Sequence, residues 1–344
     1  MATIKDVARE AGVSISTVSH ALSGKRPISE ATRQRILETV DRLGYRPSWT
    51  ARSLSSRQTR VLGLVVADIS NPFYPIVARG VEDVAHGHDY NVMICSTDGE
   101  ERRERDYIDI LEARQVDGII YMAGLATNQR LEELVRTGRI PVVTADERIA
   151  SLDVPGVFLK NAEAGQIVAE YLLRLGHTQL GFIGGPRHLP TVGERLAGYR
   201  AAIERAGRRL ADDAIQFADN RPEGGQLAAT ILLAGPRPPA ALFVANDMMA
   251  FGVLEHCKSL GVSVPEDLSV VGIDDLPFSR LAGLSTIRQP MYEIGAEAAR
   301  LMFQILDGGI VPESILVTPE LVVRTSSGPP SMHAGALRGA VASE

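Results

Sequence analysis

The 344-residue sequence predicts an N-terminal all-α helix-turn-helix head followed by an α/β body of two lobes, each with a doubly wound parallel sheet. The first 46 residues show three short helical patterns separated by turn residues. From residue 61 onward, apolar strand-like runs alternate with helical patterns. The charge is divided in the same way: residues 1–60 carry eleven basic and five acidic residues, or +6, and the remainder carries −12. A basic head on an acidic body indicates that only the head meets a polyanion.

The composition excludes several classes of protein. An apolar fraction of 45% is typical of a folded globular chain, and no apolar run reaches the about 18 residues that a membrane span needs. The N-terminus lacks the basic and apolar segments of a secretory signal. Two cysteines, Cys95 and Cys257, cannot form a disulfide framework, so we expect a reduced, cytoplasmic protein. No nucleophile–base set, phosphate loop, dinucleotide motif or metal-ligand spacing is found, so we expect neither an enzyme nor a cofactor or metal.

The start of the chain has the spacing of a helix-turn-helix. Thr3 can cap a first helix, and Gly12 suits the left-handed turn that ends it. Ser14 offers a second N-cap, and the second helix runs over 15–22. The small Ala8 lets the two helices approach. Such a pair places its second helix in the major groove of DNA.

A third helix is predicted over 30–43. Ser29 caps it, Gly44 ends it, and its inward residues are Ile36, Leu37 and Val40. The buried residue of the second helix is Val18.

The outer face of the second helix is polar. Its side chains can bond bases or phosphates: Ser16, Thr17, Ser19 and His20. The alternative is an ordinary helical hairpin without a ligand. Because this segment is also the basic one, we favour DNA binding.

The segment after the head has the signals of a short helix start at Pro47 and Ser48. It is too short to be stable alone, but it could fold on contact with DNA and a partner chain. Leu54 is then a candidate wedge for a minor-groove base step. The alternative is a plain linker, which the spacing alone favours.

The body alternates strands with helices. Strands are predicted over 61–66, 90–95, 118–122, 141–144, 180–183, 241–245 and 268–273. Helices are predicted over 74–86, 101–113, 131–137, 162–175, 195–206, 226–233, 248–260 and 292–306. Seven strands allow one large sheet or two smaller ones. The irregular stretch 146–160 favours two lobes with a cleft between them, and we expect the chain to cross between lobes near 285–287.

Polar residues recur where these strands end. Ligands of open α/β sheets bind beyond the carboxyl ends of the strands. The residues found there are Asp68, Asn71, Phe73, Tyr74, Asp146, Thr191, Arg195, Asn246, Asp274 and Gln289. Acids and amides beside aromatic rings suit a sugar or polyol. Each residue alone is as well explained as a helix cap or surface group, and we assign Asp247 as a cap.

The head resembles that of the LacI/GalR family of bacterial repressors. The motifs that carry the resemblance are Ile4-Lys5-Asp6-Val7-Ala8, Gly12-Val13-Ser14, Ser16-Thr17-Val18-Ser19, Ser29-Glu30-Ala31-Thr32-Arg33, Gly44-Tyr45-Arg46-Pro47 and Ala51-Arg52-Ser53-Leu54. The resemblance continues to about Arg324 and implies that Ile15, Ser16 and His20 read bases. It also implies that Leu54 is the lever of a hinge helix. The DNA-binding residues are then Thr3, Ser14, Ile15, Ser16, Thr17, Ser19, His20, Arg33, Ala51 and Leu54.

The body resembles the periplasmic sugar-binding fold, and most of all the ribose-repressor branch. This resemblance implies that Asp146, Arg195, Asn246, Asp274 and Gln289 hold ligand hydroxyls. It also implies that Phe73 or Tyr74 stacks on the sugar ring, with Asn71 and Thr191 beside them. One departure is Asn220, which stands where ribose and purine members have a second aromatic residue. Either the alignment slips at this position or the ligand is not sandwiched between two rings. The alternative ligand within this family is a nucleobase.

The resemblance implies a homodimeric repressor that binds a pseudo-palindromic double-stranded operator and is controlled by a small molecule, a pentose or related sugar. A ligand that re-angles the lobes would change the spacing of the two heads. The expected divisions are the head (1–46), a hinge helix and linker (47–60), the effector-binding and dimerisation domain (61–325) and a disordered tail (326–344).

Overall fold

A computed structural model describes residues 2–23, 26–45, 58–124, 129–149, 151–309 and 313–330. The chain forms two compact units, 1–59 and 60–344. The predicted hinge helix, with Ala51 and Leu54, lies outside the described residues, and so does the predicted tail from residue 331 onward.

The first unit contains three helices: α1 (Ile4–Ala11), α2 (Ile15–Ser23) and α3 (Glu30–Leu43). Thr3 caps α1 as predicted, in a reciprocal pair with the Asp6 side chain. Gly12 ends α1 with a φ of 64°, a left-handed conformation that favours glycine. Ser29 caps α3. These signals are local in the sequence, and each predicted cap is confirmed.

The inward face of α3 differs from the prediction. Leu37 is 41% exposed, whereas Thr39 is 3% exposed and its hydroxyl donates to the Arg35 carbonyl. Ile36 and Thr39 are three residues apart and lie on the same face of the helix, whereas the adjacent Leu37 is rotated away. Thr39 can be buried because the Arg35 carbonyl satisfies its hydroxyl.

The second unit is built on two six-stranded sheets. The first has the order β11-β5-β4-β3-β1-β2. Its strands are β1 (Val61–Val66), β2 (Asn91–Ser96), β3 (Gly118–Met122), β4 (Val142–Ala145), β5 (Gly156–Leu159) and β11 (Ile315–Val317). The second has the order β12-β10-β9-β8-β6-β7. Its strands are β6 (Leu180–Gly184), β7 (Ile215–Phe217), β8 (Ala241–Val244), β9 (Ser269–Asp274), β10 (Ser285–Arg288) and β12 (Glu320–Val322). The strands are parallel except β12, which runs antiparallel to β10.

Helices cover both sheets. Those of the first lobe are α4 (Phe73–Gly87), α5 (Glu101–Ala113), α6 (Gln129–Thr137) and α11 (Met291–Leu306). Those of the second lobe are α7 (Asn161–Arg174), α8 (Pro190–Arg205), α9 (Pro222–Leu233) and α10 (Asp247–Ser259). Both α8 and α9 begin earlier than the apolar pattern indicates, because a proline occupies the first helical turn of each.

The predicted two-lobed parallel fold is confirmed. The chain crosses between lobes after β5, after β10 and between β11 and β12. The crossing after β10 is the predicted one. The stretch 146–160 is not wholly irregular, because it contains the short buried strand β5.

Three helix pairs cross at reciprocal glycines. A Cβ on Gly165 of α7 would lie 2.0 Å from the Arg195 carbonyl, and a Cβ on Gly198 of α8 would lie 1.9 Å from the Ala162 carbonyl. The same arrangement joins α4 to α11 and α9 to α10, through Gly80, Gly295, Gly225 and Gly252. The backbones touch at these points, so the glycines set how each pair packs on its sheet.

The end of the described chain corrects a prediction. Ser326 and Ser327 are buried, and the Ser326 hydroxyl donates to the Val270 carbonyl at 2.6 Å. The prediction of disorder from Ser326 is therefore wrong for 326–330. Composition missed this because small polar residues can pack once backbone groups satisfy them.

Within the described residues, no helix is long and apolar enough to cross a membrane.

Candidate ligand-binding cleft and DNA-binding face

A cavity of about 900 Å³ lies between the two lobes, where strands of both sheets end. All nine predicted effector residues line it: Asn71, Phe73, Tyr74, Asp146, Thr191, Arg195, Asn246, Asp274 and Gln289. Parallel strands bring their carboxyl ends to one edge, which is why residues far apart in the sequence meet here.

The aromatic wall comes from the start of α4. The Asn71 Oδ1 accepts a hydrogen bond from the Phe73 backbone N–H at 3.0 Å, which fixes the turn into the helix. Phe73 is buried, and its ring meets the Tyr74 ring edge to face at 5.3 Å. Burial and then the Asp146 charge raise the pKa of Tyr74 well above its usual range, so its hydroxyl stays protonated.

Two adjacent acids follow β4. Asp146 has a φ of 64°, and its Oδ1 is buried without a hydrogen-bond partner among the described residues. Glu147 is buried, and its carboxylate accepts hydrogen bonds from the backbone N–H and the hydroxyl of Thr191. Burial, reinforced by the Asp146 charge, raises the pKa of Glu147 to about 8. Thr191 lies on the other lobe, so this contact spans the cleft.

Sequence reasoning missed Glu147 as a cavity residue. The signal was present: an acid directly after Asp146, at the end of a buried strand. Two adjacent side chains usually diverge, but the left-handed Asp146 backbone turns the chain so that both line the cavity.

Arg195 extends from α8 into the cavity. Its Nε donates to the Asn161 Oδ1 at 2.8 Å, and its Nη1 donates to the Ala245 carbonyl at 2.6 Å. Asn246 caps α10 by accepting from the Met249 N–H at 2.7 Å, and its Nδ2 donates to the Asn220 carbonyl at 3.1 Å. Both side chains are therefore held in place by bonds to the protein.

Asp274 and Gln289 form the remaining wall. The Gln289 Nε2 donates to the Asp274 Oδ1 at 2.7 Å, which fixes the amide orientation and leaves the Gln289 Oε1 buried without a partner among the described residues. Burial and then the charge of Asp247 raise the pKa of Asp274 well above its usual range.

Asp247 is not the cap that the sequence predicts. Asn246 is the N-cap of α10, and Asp247 is its first helical residue. The Asp247 carboxylate accepts from the Leu276 N–H at 3.0 Å and from the hydroxyls of Ser279 and Thr286 at 2.5 and 2.6 Å. It therefore ties the segment after β9 to β10.

Asp275 does not line the cavity. It pairs with Arg288 at 2.8 Å and with Arg324 at 2.6 Å. The adjacent side chains of Asp274 and Asp275 therefore point in different directions.

Asn220 lines the cavity with a φ of 69°. No second stacking ring stands there, and the phenyl and phenol rings lining the cavity are Phe73 and Tyr74, both from α4. The phenyl and phenol rings of the cavity lining thus come from one lobe, whereas the imidazole ring of His188 comes from the other.

The predicted DNA-binding residues are largely at the surface of the first unit. Ile15 is 45% exposed, and Arg33 is exposed at the start of α3. Ser14 caps α2 by accepting from the Thr17 N–H at 3.1 Å, and its hydroxyl also contacts the hydroxyls of Ser16 and Thr17. Of the remaining described members, Thr3 is exposed, and Ser19 and His20 are partly exposed. The α2 surface thus offers an apolar residue framed by hydroxyls.

Two family models match the chain. Residues 3–48 match bacterial regulatory proteins of the lacI family, and residues 169–327 match a periplasmic binding protein-like domain. The chain is 36% identical over 323 residues to catabolite control protein A of Priestia megaterium, covering 93% of this chain and 97% of the relative. It is 36% identical to the HTH-type transcriptional repressor CytR of Escherichia coli K12 over 330 residues, covering 95% and 96%.

Solved structures agree. A transcriptional regulator CelR–cellobiose complex matches with a TM-score of 0.72 at 27% identity, covering 95% of this chain and all of that one. The lac repressor dimer bound to operator and the anti-inducer ONPF matches in fold with a TM-score of 0.86 at 24% identity, covering 95% and 99%.

These relatives are regulators rather than enzymes, and they do not single out the ribose branch. Their identity over almost the whole chain decides the family. The chain belongs to the lacI family of bacterial regulatory proteins.

Proposed function

We propose that this protein is a sequence-specific transcriptional repressor whose operator affinity is controlled by a small sugar-like ligand bound between the two lobes. The observation that carries the proposal is the cavity itself. Both lobes contribute buried polar side chains to it, and two acceptors, Asp146 Oδ1 and Gln289 Oε1, have no partner among the described residues. Buried polar atoms are normally satisfied, so these atoms favour a hydrogen-bonding ligand.

The chemistry of the wall favours a polyhydroxylated ligand. Carboxylates accept hydrogen bonds from hydroxyls, and Arg195 donates to hydroxyl oxygens. Phe73 and Tyr74 offer an apolar surface for one face of a sugar ring. A pentose or related sugar is the proposed ligand, and a nucleobase is the alternative.

DNA binding is assigned to the first unit. Ile15, Ser16 and His20 of α2 are the proposed base-reading residues, supported by their partial exposure and by the +6 charge of residues 1–60. Thr3, Ser14, Thr17, Ser19 and Arg33 are proposed to position the helix on phosphates. Ala51 and Leu54 remain the proposed minor-groove contacts of a hinge helix.

The proposed assembly is a homodimer on a pseudo-palindromic operator. Two half-sites need two heads, related by the same two-fold axis as the operator. Large apolar side chains on the second lobe support a protein interface: Leu281 is 83% exposed, and Leu227 and Phe278 are also exposed.

The proposed control is a coupling between cleft and operator. Two contacts already span the cleft: Glu147 to Thr191, and Arg221 to Asp68 at 3.7 Å. A ligand that adds contacts to both lobes changes their preferred angle, and through the dimer changes the geometry of the two heads.

The proposal is tested by titration calorimetry of the purified chain with pentoses, hexoses, polyols and purines. We expect micromolar binding of a sugar or polyol, lost in Asp274→Ala and kept in the exposed control Asp213→Ala. Binding of a purine in place of a sugar would favour the nucleobase alternative. Binding that survives Asp274→Ala would contradict the cleft assignment.

A further inference from the structure

The charges of the cleft are unbalanced. Two buried carboxyl groups, of Glu147 and Asp274, and the partly exposed carboxyl group of Asp146 face one buried guanidinium, that of Arg195. We infer that the ligand of this cleft carries a protonated nitrogen beside its hydroxyls, as an amino sugar or amino polyol does. This inference rests on the proposed function and narrows its ligand class.

The acidic character extends to the rest of the cavity lining. The other acidic residues are Asp68, Asp98, Asp219 and Glu223. The lining contains one other arginine, Arg221, and it pairs with Asp68. Asp98 pairs with Arg103. The lining as a whole is therefore negative, and a cation entering it is attracted.

Arg195 offsets the three acids of the cleft only in part, because its charge lowers the pKa of each but burial raises that pKa by more. Its bonds are to an amide oxygen of Asn161 and a backbone carbonyl of Ala245. No ion pair among the described residues joins it to a carboxylate. The hydrogen bonds to Glu147 and Asp274 come from neutral groups, those of Thr191 and Gln289. Three carboxyl groups that share one guanidinium in a buried cleft are costly to ionise, so the site favours a ligand that supplies a second cation.

Among the described residues that line the cavity, the two buried side-chain atoms without a hydrogen-bond partner are both acceptors. Gln289 is 2% exposed, and its Oε1 has no partner among the described residues. The Oδ1 of Asp146 is also buried and has no hydrogen-bond partner among the described residues. An ammonium group offers three donors and no lone pair, whereas each hydroxyl offers one donor and places lone pairs near the carboxylates. The unpaired acceptors therefore favour an ammonium group, as the negative charge of the lining does.

The protonation of the acids supports the same conclusion. Burial raises the pKa of Asp146, Glu147 and Asp274, and that of Glu147 to about 8, so Glu147 holds a proton in the empty cleft at neutral pH. The charged or titratable groups that face Glu147 are Asp146, Arg195 and Tyr74. A bound ammonium would stabilise the ionised carboxylates, and binding would then release a proton to solvent.

The test compares matched pairs of ligands by calorimetry: ribitol with 1-amino-1-deoxyribitol, and glucose with 2-amino-2-deoxyglucose. We expect the amine of at least one pair to bind about tenfold more tightly than its neutral partner. We also expect the amino polyol to bind more tightly as the pH rises from about 6.5 to 8.5, where its own nitrogen stays protonated. Titrations in buffers of different ionisation enthalpy measure the released proton directly.

Variants test which carboxyl group causes the amine preference and the proton release. Glu147→Gln should remove most of the amine preference, which is the ratio of amino-polyol affinity to polyol affinity, and most of the proton release. Glu204→Gln, on the exposed side of α8, should change neither. If Glu147→Gln fails to fold, Asp146→Asn provides the same comparison at the adjacent carboxyl.

The outcomes separate the two proposals. Tighter binding of the neutral member in both pairs, or an amine preference without proton release, would overturn the inference and leave the proposed function standing. Failure of all sugars, polyols and amines to bind would overturn both.

Discussion

Asp274 ends β9 with a φ of 142°, a conformation that side chains seldom adopt, and its carboxyl is buried at the base of the cleft. Two neighbours hold it there: Gln289 and the backbone N–H of Asp247. Strain and burial of this kind persist only where surrounding contacts over-determine them, and they cluster at ligand sites. These features support our proposal that Asp274 contacts the ligand.

The buried Glu147 predicts a pH dependence of stability. Its pKa is raised from an ordinary 4.5 to about 8, so the folded chain holds a proton that the unfolded chain releases. The contribution to stability is greatest below pH 4.5 and is lost as the pH rises through 8. We expect the melting temperature of the second unit to fall as the pH rises from 4.5 to about 8, and the Glu147 contribution to level off above that pH.

The variant Glu147→Gln should flatten this dependence, because an amide does not titrate. Glu204→Gln, which is exposed, should melt with the same pH profile as the parent chain. A profile that Glu147→Gln leaves unchanged would assign the dependence to another group. Differential scanning calorimetry across the pH range makes the comparison.

Helix pairs, rather than single helices, position the cleft. Arg195 lies on α8 at the point where α8 crosses α7, and Gly165 makes the close approach possible. A pair of glycines, Gly225 and Gly252, likewise lets α9 and α10 touch, and α10 is the helix that Asn246 caps. Small residues at the crossings therefore fix the directions in which the polar side chains enter the cavity.

These crossings predict opposite effects for two glycines of one helix. A Cβ at Gly198 would meet the Ala162 carbonyl at 1.9 Å, whereas a Cβ at Gly193 meets nothing within 4 Å. Gly198→Ala should destabilise the second unit by about 3 kcal/mol and weaken ligand binding. Gly193→Ala should leave ligand binding intact and stabilise the unit by up to about 1 kcal/mol, through helix propensity. Urea unfolding of both variants measures the difference. Equal effects would show that the crossing tolerates a side chain.

The exposed Ile15 of α2 predicts a loss of operator specificity. An apolar side chain at the start of a recognition helix can contact a thymine methyl group. Ile15→Ala should weaken specific binding by about 1–3 kcal/mol and leave non-specific binding unchanged. Leu37→Ala on α3, at a similar exposure, is the control and should bind the operator as the parent does. Binding is measured by fluorescence anisotropy on a site selected from random DNA. Equal losses in both variants would remove α2 from base reading.

Local signals made the head and most of the body predictable. Caps such as Thr3 and Ser29 act within one helical turn, and buried parallel strands are apolar throughout, so both can be read from the sequence. The nine cleft residues were found because strand ends meet at one edge of a sheet.

The missed features depend on contacts across the fold. Strands β11 and β12 have three residues each and exist only because a sheet edge accepts them. Asp247 was predicted as a cap because its true partners, Ser279 and Thr286, are about thirty or more residues away. Glu147 reaches the cavity only because Asp146 turns the backbone.

The whole molecule separates its charges between two tasks. Residues 1–60 carry +6 and meet DNA in our proposal, and the remainder carries −12 and contains the acidic cleft. The acidic remainder repels DNA, so specific binding depends on the head.

The basic charge of residues 1–60 predicts that DNA affinity falls as the salt concentration rises, and that removing one basic side chain weakens this dependence. Arg33→Ala should lower the slope of log affinity against log salt by about 1, since one phosphate contact is lost. Arg237→Ala, on the acidic second unit, should leave the slope unchanged. An unchanged slope in Arg33→Ala would exclude that side chain from phosphate contact.

The central claim is that the cleft and the operator are coupled, and one measurement tests it most directly. Operator affinity is measured by anisotropy with and without a saturating cleft ligand, for the parent chain and for Asp274→Ala. We expect the ligand to shift the parent's operator affinity by about 5- to 150-fold, and to shift that of Asp274→Ala not at all. Both proteins should bind the operator equally without ligand. An operator affinity that the bound ligand leaves unchanged, or a shift that survives Asp274→Ala, would contradict the account.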